Sequence, residues 1–535
     1  MPSRWFYSLC LAAGVLSLSV TSAWASINPI EVNVDDTSAV EQVGVNTDLT
    51  NYRFSAQGGV LESVYLQFKT FNDSTAELIP GVETDPETKA RLYPQGMDFP
   101  FLLSLDDDGA LYDYKPGPSG DNWVELVFRR VVGDLEITKR YTVYNDQFYH
   151  VGFSLTLKNV GDKALDLDKG YTMNFTSGLA ALQGKDLRES YLFDGKHSLS
   201  VPAQYGRFGG VGYVGGRLAL FLKNEDPAGA SNALAPWISI DARGRKLLGV
   251  RAAPLSLNVG ETVSHDFVLY AGRLKYVLME HFGLGEVAGL GPFSQFLVPM
   301  IKFLDWLYAK LGNYGWAILV FTLLTRVLLF PLIRQQFHSM AKMRDIQPKM
   351  TRMRERYPGL GELRKAHPGM DAGELQARAR ENREKLNKKM MELYQREGVN
   401  PLGGCLPSLL QFPFLIVLWR TITYSSESIH FSPGFLWLND LSQADPLFIL
   451  VVLTVGVMML QTKLTPQMGS ASQNQWMMWV MPLFMGFFLK DFPAGLWLYY
   501  FLTTALQVAQ QAFINWEIAQ KKPVPVSVEA PDEEG

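Results

Sequence analysis

The apolar residues of this chain are concentrated in a few long runs. Tyr314–Ile333 contains twenty residues of almost unbroken apolar sequence. At about 1.5 Å per residue, a helix of this length reaches about 30 Å, the thickness of a hydrocarbon core. Similar runs occupy residues 5–25, 406–424, 446–462, 476–489 and 493–516. The pattern predicts six membrane spans, or five if the first run is a cleaved signal segment.

Between residues 27 and 287 the pattern changes to short alternating runs. Apolar and polar residues alternate with a period of two, and Gly, Asp and Asn separate the runs, which is typical of strands. Clear examples are Trp123–Arg129, Glu136–Tyr144 and His150–Leu157. We therefore predict a large all-β sandwich domain over residues 27–287. In it we expect the acidic triplet Asp106–Asp108 to form a solvated loop, because a calcium site needs more converging oxygen ligands.

Two further segments have helical periodicity. Residues 288–312 predict an amphipathic helix in the outer interface, just before the span at 313–333. Its apolar side is expected to comprise Phe296, Leu297, Met300, Leu304, Leu307 and Leu311. Residues 334–399 predict a helical hairpin, because two helical runs flank a Pro- and Gly-rich break. Methionines at spacings of three and four in the first run, with Leu and Met in the second, predict a coiled-coil seam between them.

Charge is segregated along the chain and predicts its orientation. Residues 26–290 carry 24 Lys and Arg against 34 Asp and Glu, whereas residues 334–398 carry 16 against 9. Because loops with an excess of Lys and Arg stay in the cytoplasm, the hairpin, Lys463 and Lys521-Lys522 are expected there, together with the tail at 517–535 that follows the last span, and the β domain is expected outside. Residues 400–516 then form spans three to six. Ala23-Trp24-Ala25 has the form of a signal-peptidase site, so segment 1–26 is either an anchor or a cleaved signal.

The residues that usually carry covalent chemistry are sparse. The two cysteines, Cys10 and Cys405, lie far apart, and no CxxC or Cys/His cluster exists for zinc. We find no nucleophile elbow, catalytic triad or phosphate loop, and His150, His197 and His265 are isolated in the sequence. We therefore predict no catalytic residue, no metal and no cofactor.

One charged residue, Arg326, lies within the span at 313–333. It precedes Arg334 by eight residues and so lies about 12 Å inside the cytoplasmic edge. An arginine at that depth costs from about 2.5 to more than 10 kcal/mol, and no predicted span contains an Asp or Glu that could pair with it. We therefore expect Arg326 to be hydrated in a protein-lined cavity, or to meet an anion that a client brings.

Other polar residues of the spans fall on single helix faces. They are Thr322 with Arg326, Ser408 with Gln411, and the stripe Tyr500, Thr504, Gln507 and Gln511. Polar side chains in lipid are expected to face the bundle interior or water, and a shared hydrated groove accounts for all three sets. Interhelical hydrogen bonds of about 0.6–2 kcal/mol each explain Gln411 or Thr504 equally well. They do not explain Arg326.

Several blocks in the right order resemble the YidC family of membrane-protein insertases. They are FTLLTRVLLFPL, SMAKMRDIQPKM, NPLGGCLPSLLQFPF and FPAGLWLYY, together with VGVNTDLTNYRFSAQGGVLESVYL near the start. The resemblance implies a polytopic α-helical protein of the bacterial inner membrane, with a five-helix core, an N-terminal anchor or signal helix and an all-β periplasmic supersandwich. It also implies a groove open to the cytoplasm and the lipid. By position, Arg326 is the groove arginine, Thr322 and Gln411 line the groove, and Tyr499 and Tyr500 face the incoming chain.

The resemblance implies an insertase and chaperone that is not an enzyme. Its expected partners are nascent membrane-protein clients, the Sec translocon and membrane lipids, with no DNA; the basic hairpin adds the ribosome as a further candidate. The insert at 357–373 and the acidic tail depart from the family pattern. A secondary transporter of an anionic solute is the alternative, although we find no inverted repeat. An anchored periplasmic sugar-binding or enzymatic protein would explain the β domain but not the polar groove.

Overall fold

A computed structural model gives the fold of most of the chain. It describes residues 28–35, 41–69, 74–80, 83–84, 91–92, 99–106, 110–179, 187–192, 209–215, 217–225, 234–240, 246–288, 294–398, 406–464 and 471–520. The predicted N-terminal segment, His197 and the acidic tail lie outside these ranges. The chain divides into two compact units. The β unit comprises Met1–Phe293 and Thr423–Phe431, and the helical unit comprises Ser294–Ile422 and Ser432–Gly535.

The strands of the β unit pair antiparallel throughout. Their bounds are β1 (Glu31–Asp35), β2 (Gln42–Asn46), β3 (Thr50–Ser55), β4 (Val60–Leu66), β5 (Ala76–Glu77), β6 (Glu83–Thr84), β7 (Arg91–Leu92), β8 (Asp113–Ser119), β9 (Trp123–Val132), β10 (Leu135–Tyr144), β11 (His150–Asn159), β12 (Leu165–Leu167), β13 (Thr172–Thr176), β14 (Leu187–Leu192), β15 (Gly210–Gly215), β16 (Leu218–Asn224), β17 (Leu234–Ile240), β18 (Lys246–Ala252), β19 (Leu255–Leu257) and β20 (Thr262–Arg273). The largest sheet has the order β14-β15-β16-β20-β11-β10-β9-β8. Two smaller sheets have the orders β1-β2-β3-β4-β5 and β13-β18-β17.

The three runs quoted from the sequence form β9, β10 and β11, as the alternation predicts. In β10 every second residue is buried, from Leu135 to Val143. These residues join an aromatic core in which the ring of Tyr141 lies 4.9 Å from that of Phe54 and 5.0 Å from that of Phe153. The all-β sandwich is confirmed, and burial of these aromatic side chains with their aliphatic neighbours stabilises it.

The acidic triplet was predicted to be solvated, and for Asp106 this is wrong. Its side chain is 0% exposed and accepts hydrogen bonds from the Tyr112 hydroxyl (2.6 Å) and the Leu103 amide (3.1 Å). It also pairs with Lys139, whose Nζ lies 3.1 Å from Asp106 Oδ2 and donates to the carbonyls of Gly58 and Phe101. Burial lowers the pKa of Lys139 to about 8, against the opposing effect of Asp106. The ion pair could not be predicted from the sequence, because its two residues are 33 positions apart.

The helices follow the β domain in sequence. Their bounds are α1 (Tyr276–His281), α2 (Gly285–Ala288), α3 (Ser294–Leu311), α4 (Tyr314–Arg356), α5 (Leu360–Ala366), α6 (Ala372–Arg396), α7 (Leu406–Tyr424), α8 (Ser426–His430), α9 (Ile449–Leu464), α10 (Ala471–Leu489) and α11 (Ala494–Gln520). Helices α1, α2 and α8 belong to the β unit. Within the described residues, Tyr314–Gln335 is long and apolar enough to cross a membrane, with a mean hydropathy of 2.2. Shorter apolar segments are Phe414–Tyr424, Ile449–Lys463 and Val480–Leu489.

Residues 423–431 are built into the β unit through a buried ion pair. Lys275 Nζ lies 2.8 and 2.9 Å from the two carboxylate oxygens of Glu427, whose side chain is 0% exposed. The Glu427 carboxylate also accepts from the Tyr149 hydroxyl (3.1 Å) and from Ser426 Oγ (2.9 Å). Phe431 packs against the aromatic core of the same unit.

In the helical unit, α4 begins at a capped end. The side chain of Asn313 accepts a hydrogen bond from the Gly315 amide (2.8 Å), which satisfies one of the amides free at a helix N-terminus. From there α4 runs for 43 residues, so the apolar span and the first hairpin helix form one continuous helix. Ile346 and Met350 of α4 form a buried cluster with Leu393 of α6, which confirms the predicted seam. An ion pair of 2.8 Å between Lys349 and Glu397 lies beside this cluster.

Helix α3 is amphipathic, as its periodicity predicts. Its buried residues are Leu297, Ile301, Leu304 and Leu307. Leu311, which was assigned to the apolar side, is 41% exposed, and Ile301 takes part in the buried face instead. Leu311 follows Leu307 by four residues and so shares this face, but it is the last residue of the helix, where no further turn packs beside it.

Candidate functional site

The site is centred on Arg326, in the apolar part of α4. Its Nε donates to the hydroxyl oxygen of Thr503 at 2.7 Å, and its Nη2 donates to Gln507 Oε1 at 3.3 Å. Both acceptors belong to α11 and lie four residues apart, one helical turn, so they present their oxygens on one face. Arg326 is 7% exposed in the protein. The guanidinium is therefore held between two helices by a hydroxyl and an amide.

The electrostatic consequence follows from the chemistry of these two acceptors. A threonine hydroxyl and a glutamine amide orient a guanidinium but carry no charge that would neutralise it. The sequences of the predicted spans add no carboxylate, because Asp and Glu are absent from all of them. Arginine has five N–H donors and stays protonated in proteins, so this site presents a fixed positive charge. Such a charge suits attraction of an anionic group, not proton transfer.

Threonines beside the site hydrogen-bond within their own helices. Thr322, one turn before Arg326, is 0% exposed and donates to the Ile318 carbonyl at 2.6 Å. Thr504 donates to the Tyr500 carbonyl at 2.7 Å in the same way. Each hydroxyl thereby satisfies its donor and keeps an oxygen that can still accept a hydrogen bond.

The two adjacent tyrosines of α11, Tyr499 and Tyr500, differ in how far their side chains are buried. Tyr499 is 3% exposed, and its ring lies 6.3 Å from that of Phe321 on α4. Tyr500 is half-buried, and its ring lies 6.3 Å from that of Trp497. Because Tyr500 precedes Gln507 by seven residues, or two helical turns, both are on the same side of α11. Of this pair, Tyr500 is the tyrosine more available to an incoming chain.

Helices α4 and α11 are held together beyond the site as well. Ile333 and Phe337 of α4 form a buried cluster with Ile514 of α11. Arg334, at the end of the apolar run, pairs with Glu517, with 3.2 Å between Nε and Oε2. Arg326 therefore lies in a helix pair that is fixed by apolar packing and by an ion pair at its hydrophilic end.

The structure brings together some predicted site residues and adds one. It joins Arg326 directly to Gln507 and places Thr322, Tyr499, Tyr500 and Thr504 on the same two helices. For Ser408 and Gln411 only the backbone, in α7, is described, so the positions of their side chains lie outside the description. Thr503, the nearer partner of Arg326, was missed. Its spacing of four from both Tyr499 and Gln507 was the available signal, but the stripe through Thr504 was preferred to it.

Comparison with known proteins gives consistent matches over this architecture. The family model described as 60Kd inner membrane protein matches residues 306–370 and 360–521, which include the site. The membrane protein insertase YidC of Geotalea daltonii is 27% identical over 500 residues, covering 89% of this chain and 87% of that protein. The YidC of Wolinella succinogenes is 38% identical over 255 residues, covering 47% of this chain and 43% of that protein.

The fold also matches a solved structure. A crystal structure of an active YidC insertase, with its first transmembrane domain resolved, has a TM-score of 0.51 and 20% sequence identity. The match covers 94% of this chain and 98% of the other. It extends over the β unit and the helical unit alike, as expected for an inner membrane protein with a periplasmic β domain. The motifs, the fold and these relatives agree: over most of its length the chain is similar to membrane protein insertases named YidC, and residues 306–521 match the 60Kd inner membrane protein family.

Proposed function

We propose that this protein inserts membrane proteins into the inner membrane through a hydrated groove centred on Arg326. The observation that carries the proposal is the setting of Arg326, a buried cation of an apolar helix that donates to two neutral side chains, Thr503 and Gln507. An arginine so placed costs several kcal/mol, and a residue kept at that cost indicates a functional site. Attraction of an anionic client segment is a function that uses the charge itself.

The mechanism is physical and needs no covalent step. Water in the groove shortens the apolar barrier that a polar extracellular segment of the client must cross. Arg326 attracts this segment when it is acidic, and the segment then moves outward as the apolar helix of the client enters the lipid. In this proposal Thr503 and Gln507 hold the guanidinium in place, while Thr322, Ser408, Gln411, Tyr499, Tyr500 and Thr504 line the groove.

The remaining assignments complete the proposal. The chain crosses the membrane six times, or five if the first segment is cleaved, with the C-terminus in the cytoplasm. The segment boundaries are those predicted from the sequence. Nascent clients reach the groove alone or from the Sec translocon, and the basic hairpin contacts ribosomes or acidic lipid headgroups. The separated charges of the β domain and the hairpin support this orientation.

Site-specific photocrosslinking tests whether clients use the groove. A photoreactive residue at Tyr500 of the reconstituted protein is expected to crosslink to a stalled client with an acidic translocated tail. The matched control replaces Val452, which is 68% exposed on α9 and is expected to face lipid. Because Tyr500 lies beside the site and Val452 does not, the proposal predicts strong crosslinks from position 500 and weak ones from position 452.

The outcome that would contradict the proposal is equal crosslinking from both positions, or none from position 500 while the client still inserts. Uptake of anionic solutes by the same vesicles provides a second comparison. A secondary transporter would accumulate solute whether or not a client is present. An insertase is expected to insert the client and to leave solute uptake at the level of empty vesicles.

A further inference from the structure

Helix α11 packs against α4 through one row of residues, each four positions after the last. The row consists of Gly495, Tyr499, Thr503 and Gln507. Side chains four residues apart form a ridge along a helix, and such ridges pack against the neighbouring helix. On α4 the residues that meet this row are Ile318, Phe321 and Arg326. The row therefore begins at a glycine and ends at the two residues that accept hydrogen bonds from Arg326.

Gly495 is buried where three parts of the helical unit meet. A Cβ atom built there would lie 3.2 Å from Ile318 Cδ1 of α4, 3.2 Å from the Leu441 carbonyl oxygen and 3.3 Å from Ile422 Cδ1 of α7. Carbon atoms in ordinary contact are about 3.5–4.0 Å apart, so these distances are short. Small residues at the interfaces of membrane helices allow close approach of the backbones. Gly495 has this effect between α11 and α4.

The neighbours of Gly495 have little freedom to move. Ile318 and Ile422 are both 0% exposed, and a β-branched side chain in a helix is largely restricted to one χ1 rotamer. The Leu441 carbonyl accepts a hydrogen bond of 2.8 Å from the Gly495 amide, which holds this carbonyl against the helix. A methyl group at position 495 is therefore expected to displace the start of α11 from α4 by a few tenths of an ångström.

The hydrogen bonds of Arg326 are sensitive to a shift of that size. Donor–acceptor distances of N–H···O bonds are about 2.7–3.2 Å, and the distance from Arg326 Nη2 to Gln507 Oε1 is already 3.3 Å. Farther along, the apolar cluster described above fixes α11 to α4. A displacement at Gly495 pivots about that cluster, and roughly half of it reaches Thr503. Both hydrogen bonds lengthen, and the one to Gln507 has the least margin.

We propose that Gly495 is a positioning residue of the groove. Because it has no side chain, α11 lies close enough to α4 for Thr503 and Gln507 to hold the guanidinium of Arg326. This inference rests on the proposed function, in which the charge of Arg326 attracts acidic client segments. A guanidinium held in one orientation presents its charge at a fixed place, which favours productive contact with an arriving carboxylate. A role of Gly495 in folding alone would affect clients with acidic and neutral tails equally.

The test measures insertion of one client, in two forms, into vesicles that contain the reconstituted protein. One form has an acidic translocated tail, and the other has Asn and Gln in place of the acids. The ratio of the two insertion yields reports charge preference, and loss of folded protein cancels from it. Gly495→Ala is expected to lower this ratio roughly three- to tenfold, as expected when a hydrogen bond to a charged group weakens. The neutral tail is expected to insert as it does with the parent.

Two second-site changes identify the contact through which position 495 acts. Ile318→Val removes Cδ1, the α4 atom next to the added methyl group, and Ile422→Val removes the corresponding atom of α7. In combination with Gly495→Ala, Ile318→Val is expected to restore most of the ratio, because α11 can return towards α4. Ile422→Val is expected to restore little of it. Should Gly495→Ala alone not fold, the two double variants are compared directly with the parent.

Arg326→Gln separates a failure of this inference from a failure of the proposed function. If the parent and Arg326→Gln have the same ratio, the proposed function fails and this inference fails with it. If the ratio of the parent is the higher one, two results overturn the inference alone. They are a parental ratio for Gly495→Ala, and equal ratios for its combinations with Ile318→Val and Ile422→Val.

Discussion

The buried pair Lys275–Glu427 allows a sharp test of how residues 423–431 are held in the β unit. We consider Glu427→Gln, which removes the charge and retains the shape. The parent carboxylate accepts four hydrogen bonds, two of them from the ammonium of Lys275 at 2.8 and 2.9 Å. Glutamine can still accept from Tyr149 or Ser426, but it removes the negative charge that Glu427 places beside the Lys275 ammonium. Breaking one partner of a buried ion pair costs about 3–5 kcal/mol.

This loss translates into a measurable shift of the unfolding temperature. In a domain of 150–250 residues, 1 kcal/mol changes the midpoint by about 2–4 °C, so Glu427→Gln is expected to lower it by about 6–20 °C. Near-ultraviolet circular dichroism of the full protein in detergent follows the aromatic core of the β unit. Asp113→Asn is the matched control, because Asp113 pairs with Lys115 at 3.3 Å while their side chains are 66% and 68% exposed. Loss of such a surface pair changes stability by no more than about 1 kcal/mol.

A double variant distinguishes charge from packing. Lys275→Met with Glu427→Met removes both charges and keeps apolar volume, so most of the lost stability is expected to return. The Tyr149 hydroxyl then lacks its acceptor, which leaves a residual loss of about 1–3 kcal/mol. Equal shifts for Glu427→Gln and Asp113→Asn would refute the reasoning. So would a double variant that is less stable than Glu427→Gln alone.

Three further predictions concern other parts of the chain. Neither ring nitrogen of the buried His265 has a hydrogen-bond partner in the described structure, and burial lowers the pKa of this imidazole below the ordinary 6.5. The stability that the neutral imidazole contributes is therefore complete above about pH 6.5 and is lost as the pH falls. Between pH 7.5 and 5.5, denaturant titrations should show that His265→Phe loses less free energy of unfolding than the parent. Thr503→Val is expected to reduce insertion of clients with acidic tails several-fold, because Arg326 loses the hydroxyl acceptor that lies 2.7 Å from its Nε. Thr503→Ser retains a hydroxyl and is expected to insert these clients as well as the parent does. Equal insertion by the two variants would contradict a positioning role for Thr503. In α6, alanine is placed at three exposed basic positions, Arg378, Arg383 and Lys388. This variant is expected to reduce insertion of ribosome-bound clients without changing the thermal unfolding midpoint. Unchanged insertion would leave the hairpin with a topological role alone.

Local periodicity predicted the all-β class of residues 27–287, three of its strands and the helical seam. Strands β9, β10 and β11 alternate cleanly because one face of each is buried, and the seam between α4 and α6 follows from apolar residues at helical spacing. The continuous helix α4 was harder to recognise. Its apolar run changes abruptly to charged sequence after Ile333, so the pattern indicated two elements where the backbone forms one.

Long-range polar contacts could not be predicted in the same way. Lys275 and Glu427 are 152 residues apart, and Lys139 and Asp106 are 33 apart, so no local pattern links them. Exposed and buried acids also look alike in a sequence, which explains the wrong expectation for Asp106. The candidate site could be located from the sequence, because a single arginine in an apolar span has a high free-energy cost and therefore indicates a function. Its partner Thr503 could not be identified from the sequence, because that requires knowing how α4 and α11 are rotated relative to each other.

The charge of Arg326 is the central element of this account, and insertion by charge variants measures its role most directly. Parent, Arg326→Lys, Arg326→Gln and Arg326→Glu are each reconstituted and supplied with one client in two forms, with an acidic translocated tail or with Asn and Gln in place of its acids. We predict that the acidic tail is inserted well by the parent and by Arg326→Lys, poorly by Arg326→Gln and least by Arg326→Glu, while the neutral tail is inserted similarly by all four. Equal insertion of the acidic tail by all four proteins, or the same loss for both tails, would contradict the account.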